Sequence, residues 1–165
     1  MGIKSAMKKK RNLLIFILIS LILLSSCTNE SIIELRDYEF RKLGIGDYVI
    51  EYPSDWNKLV NEGYVYCYSY DEDLLLLASQ SDEKNLDLSI ESMFSYLDKV
   101  SNLEYEEFEL NDIEDHGDGE IFKGEMNHEI FFSGYRKEDI IFIYLGDKNS
   151  VTYLLENSIG SLYEI

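Results

Sequence analysis

Histidine, cysteine, proline and basic side chains are all scarce in this 165-residue chain. There are two histidines, His116 and His128, so any Ser-His-Asp site has to use one of them. His116 falls in the Gly- and Asp-rich segment Asp112–Glu120, and His128 in a two-residue hairpin connection. Both read as exposed turn histidines, and no Gly-x-Ser-x-Gly segment accompanies either. The two cysteines, Cys27 and Cys67, do not form the spaced Cys or His pairs of a zinc site. No phosphate-binding or dinucleotide-binding glycine loop occurs. Lys and Arg number 15 against 32 Asp and Glu, a net charge of −17. That balance excludes the basic footprint of a nucleic-acid binder. So many acids also empty the glycosidase signal, because carboxylate pairs are available everywhere. An EF-hand loop starting at Asp112 fails as well: its fifth position is His116 and its twelfth is Lys123. Weak calcium binding by clustered carboxylates is what remains of that idea. The expectation is a protein with no cofactor, no metal and no catalytic residue.

The one long apolar stretch is too short to cross a membrane. Leu13–Leu24 is twelve residues, apolar except for Ser20, where a spanning helix needs about 20. Lys4, Lys8, Lys9, Lys10 and Arg11 precede it, with no acid among them. A basic start, a short apolar core and small residues at its end describe a secretory signal peptide. The end is more specific: Leu24-Ser25-Ser26-Cys27 resembles the lipobox of bacterial lipoproteins. The resemblance implies cleavage between Ser26 and Cys27, and a diacylglyceryl thioether on the Cys27 sulfur. Two or more acyl chains give stable anchoring where one gives marginal binding. Residues 1–26 are then the signal peptide, residues 27–37 a tether and residues 38–165 a single domain. Removing the signal leaves ten Lys and Arg against all 32 acids. Such a surface keeps a protein soluble, or attracts cationic peptides. With Cys27 acylated no intramolecular disulfide remains, and Cys67 reads as a small buried hydrophobe.

Periodicity sketches the domain. Gly44 and Gly46 punctuate a hairpin whose second strand sets Tyr48, Ile50 and Tyr52 on one face and stops at Pro53, the only proline. Tyr64, Tyr66, Tyr68 and Tyr70 alternate along a further strand, with Val65 and Cys67 opposite. That row suits packing under a helix better than a sugar-stacking platform. Ile90, Met93, Phe94, Leu97 and Val100 recur at helical spacing, and Asp87 or Ser89 can cap the helix. Four runs follow, from Leu103, Gly119, Glu129 and Asp139; the last two connections are Asn127-His128 and Lys137-Glu138. Ile140–Leu145 is apolar on both faces and should be a central, doubly covered strand. Val151, Leu154, Leu155, Ser158, Ile159 and Leu162 predict a last helix, capped by Asn149 or Ser150. The order argues for an α+β domain with an antiparallel sheet sandwiched between helices.

With these elements in order, Val49-Ile50-Glu51-Tyr52-Pro53-Ser54-Asp55-Trp56 resembles the opening strand and Tyr-Pro-x-x-Trp corner of the PsbP/DcrB-like superfamily. The resemblance runs from about Tyr38 to Leu162 and includes the terminal Ser158-Ile159-Gly160-Ser161-Leu162. It implies an α/β/α sandwich and a mostly non-enzymatic, extrinsic class of protein, including envelope lipoproteins. The short passage from Asp71-Glu72-Asp73 to the first helix departs from the family pattern. The expected function is a lipid-anchored protein on the extracytoplasmic face of the cell membrane. It would bind an envelope protein or another ligand without catalysis. A cell-surface hydrolase and an immunity-type lipoprotein capturing cationic peptides are the alternatives.

Overall fold

The computed structural model describes residues 38–61, 63–70 and 73–165. The expectations for Ser26, Cys27, the signal segment and the tether lie outside the described residues.

The first hairpin forms as its glycines predict. Strands β1 (Phe40–Ile45) and β2 (Tyr48–Pro53) pair antiparallel around a turn at Gly46. Gly46 has φ 58°, and a Cβ there would run into the Gln80 side chain. Both the left-handed backbone and the close approach therefore demand glycine. This hairpin does not join the main sheet. It forms a three-stranded sheet closed by β10 (Tyr163–Glu164). Tyr48, Ile50 and Tyr52 point together into the core, as the alternation predicts.

The main sheet has seven strands: β3 (Asn57–Asn61), β4 (Tyr64–Tyr68), β5 (Leu75–Gln80), β6 (Phe108–His116), β7 (Gly119–Met126), β8 (Ile130–Lys137) and β9 (Ile140–Gly146). Their spatial order is β3-β4-β5-β9-β8-β7-β6, antiparallel throughout. The middle position belongs to β9. Its Ile140, Phe142 and Tyr144 enter one core cluster, and its Ile141, Ile143 and Leu145 enter the other. A strand buried on both faces has no polar side, which is why this run lacks alternation.

Each face carries a helix. Helix α1 (Leu86–Val100) covers one with Ile90, Met93, Phe94 and Leu97, all essentially fully buried. At about 1.5–3 kcal/mol per buried side chain, that stripe outweighs any helix propensity term. Helix α2 (Lys148–Ser161) covers the other face with Val151, Leu154 and Leu155. The buried polar member of its stripe, Ser158, donates to the Glu51 carbonyl at 2.8 Å and shares a 2.7 Å hydrogen bond with the Tyr144 hydroxyl. One hydroxyl thereby ties α2 to both sheets. The layers are helix, antiparallel sheet, helix, as expected for this α+β fold.

Several local expectations are corrected. The caps are Asn85, whose side chain accepts from Leu88 N, and Asp147, whose side chain accepts from Ser150 N, not Asp87 or Ser89 and not Asn149 or Ser150. Asp112–His116 is not a turn: it is the end of β6, and the turn is confined to Gly117-Asp118. The β8–β9 turn falls at Glu138-Asp139, one residue late, with Glu138 at φ 52°. Strands β3 and β10 carry no alternation that would have announced them.

Candidate functional site

The hairpin turns gather acids at one end of the sheets. The β1–β2, β6–β7 and β8–β9 turns, the β5–α1 loop and β10 all reach that end. Between Glu83-Lys84 of the loop and the β6–β7 turn lies an open cleft of about 570 Å³, which Arg136 also lines. A neighbouring cleft of about 460 Å³ shares Glu83, Lys84 and Glu138 and adds Asp47, Asp139 and Glu164. Chain entry is elsewhere: Tyr38 packs on Phe40, at the far end of β1 from Asp47.

Two of the cations that line the larger cleft, Arg136 and Lys137, are engaged by its own acids. Arg136 sets Nη2 2.5 Å from Glu120 Oε1 and donates through Nη1 to the Lys84 carbonyl at 3.0 Å. Lys137 Nζ stands 2.5 Å from Asp118 Oδ2. Their hydrogen bond holds the Asp118 carboxyl below its usual range and raises the Lys137 ammonium. With Arg136 and Lys137 held in this way, Glu83, Asp115 and Glu138 outnumber Lys84 and leave the rim net negative. In the second cleft Tyr48 donates to Glu138 Oε2 at 2.8 Å. That hydrogen bond, then burial and the Glu138 charge, pushes the Tyr48 phenol up to about 12. The tyrosine thus latches the small sheet to the β8–β9 turn. Gln80 Nε2 donates to Asp139 Oδ2 at 2.5 Å and braces the same turn.

The two histidines do not converge. His116 ends β6 opposite Gly119, and His128 lies in the turn after Met126. The length of β7 separates them, more than about 20 Å at the rise of a strand. His128 Nε2 is 2.7 Å from Glu107 Oε1, and both side chains are exposed. His116 meets the Tyr135 ring edge-on and borders a groove of about 470 Å³ between the β6–β7 hairpin and α2. Ile121, Leu155 and Ile159 line that groove, with Glu114 and Lys123 beside them.

The acidic segment that invited the calcium comparison is extended, so Asp112 and Glu114 point to one face and Asp115 to the other. Among the described residues no group of three or more His, Cys, Asp or Glu side chains is placed to hold a metal ion. The tyrosine row packs as the helix-covered reading predicts. Tyr64 stacks on Tyr96 of α1 at 4.6 Å, and Tyr66 stacks on Tyr68 at 5.0 Å. Their ring faces are thus spent on one another. Tyr70 leaves the row: it sits in the turn after β4 and is 90% exposed. Cys67 is fully buried, and burial pushes its thiol up to about 12, the condition of an inert cysteine.

Sequence reasoning missed the acidic end. Each contributing residue read as an ordinary polar turn, and only the strand order brings the turns side by side.

No family model matches the chain, and no curated protein matches it either. Among solved structures, the solution structure of cyanobacterial PsbP (CyanoP) from Synechocystis sp. is similar to it, with 13% sequence identity, a TM-score of 0.45, and coverage of 78% of this chain and 94% of that one.

Proposed function

We propose that this is a lipid-anchored extracytoplasmic protein, held at the membrane through acylated Cys27, whose single PsbP/DcrB-like domain binds an envelope partner without catalysis. The observation that carries the reading is the segment Leu13–Cys27: a basic start, twelve residues apolar but for one serine, then Leu24-Ser25-Ser26-Cys27. A run this short suits a cleaved signal better than a span. The PsbP/DcrB-like part rests on the Tyr52-Pro53-Ser54-Asp55-Trp56 corner and on the order of helices and strands that follows it. Non-catalytic binding is supported by the larger cleft, where Arg136 and Lys137 are held by Glu120 and Asp118 rather than aimed at a common point.

Membrane fractionation tests the anchor. The wild-type chain is expected in the detergent phase, and the Cys27→Ala variant in the aqueous phase or uncleaved. A wild-type chain wholly in the aqueous phase would reject the reading. Crosslinking from intact membranes then identifies the partner.

A second reading, capture of cationic peptides, is favoured by the net negative rim around Glu83, Asp115 and Glu138. Binding of a Lys-rich peptide should then weaken steeply between about 50 and about 300 mM salt, a range that brackets the physiological screening length of about 8 Å. Salt-insensitive binding, or none, would dismiss it.

A further inference from the structure

We draw no further inference here: the strongest candidate, the groove between the β6–β7 hairpin and α2 floored by Ile121, Leu155 and Ile159, carries nothing because its rim carboxylate Glu114 is already paired with Lys123 at 3.4 Å and nothing in the structure shows what covers it.

Discussion

The two edges of the main sheet are built on opposite plans. β6 is long, acidic and bulged, and it is pinned from within. Phe108 sits edge-on to both Phe94 of α1 and Phe132 of β8, at 5.8 and 6.3 Å. β3 is short and free of acid, and its own side chains are all exposed. It is attached chiefly through β4, whose Tyr64 stacks on α1. An edge that needs no partner combines internal ring packing with external charge. An edge that lacks both is secured only by its single neighbour.

The largest effect should come from the ring that secures β6. Phe94 is fully buried and contacts Tyr105, Phe108 and Phe132. Phe94→Ala should cost about 3–5 kcal/mol by urea unfolding. Tyr64→Ala, beside β3, removes a half-buried ring and one stack and should cost about a third of that or less. Equal losses would erase the contrast between the edges.

Next is Gly124. A Cβ there would meet the Glu109 carbonyl and the Phe132 ring, at the place where β6 changes register. Gly124→Val should cost about 1–3 kcal/mol. It should speed hydrogen exchange in β6 while leaving β3–β4 unchanged. Faster exchange spread evenly over both edges would contradict a local role.

The smallest effect concerns pH at the acidic end, which lies between the two edges. The Tyr48 phenol is raised to about 12 against an ordinary value near 10. The folded chain therefore holds its proton where the unfolded chain has lost it. That contribution is complete below pH 10 and disappears as pH climbs toward 12. Tyr48→Phe should flatten that part of the stability profile, read as midpoint urea concentration against pH. An unchanged slope would sever the link between Tyr48 and Glu138. The Asp118 carboxyl, lowered by Lys137, works at the other limb: its contribution is present above the ordinary carboxylate range and is lost as pH falls through its depressed value.

Elements with a strong one-dimensional pattern were legible in the sequence. The stripe Ile90, Met93, Phe94 and Leu97 gave α1, and the unbroken run Ile140–Leu145 gave the central strand. The layer order followed from the element order. What escaped is what a one-dimensional pattern cannot carry. β3 has no inward face and so no alternation. The β1–β2 hairpin left the main sheet because β10, two residues long, returns to pair with it. The helix caps, Asn85 and Asp147, lie a few residues ahead of the expected ones because several polar residues precede each helix and packing selects among them. The acidic clefts arise from strand order, which sets Asp47, Glu83, Asp118 and Glu138 at one end although they are far apart in the chain. The proposed anchor, Cys27, is the reverse case: it rests on a motif rather than on packing.

Metabolic labelling with an alkyne fatty acid tests acylation of Cys27 most directly. The wild-type chain should incorporate label and run as a processed species beginning at residue 27, and Cys27→Ala should take up none. A wild-type chain that remains unlabelled, or a Cys27→Ala chain labelled as strongly as wild type, would contradict a lipid anchor at Cys27.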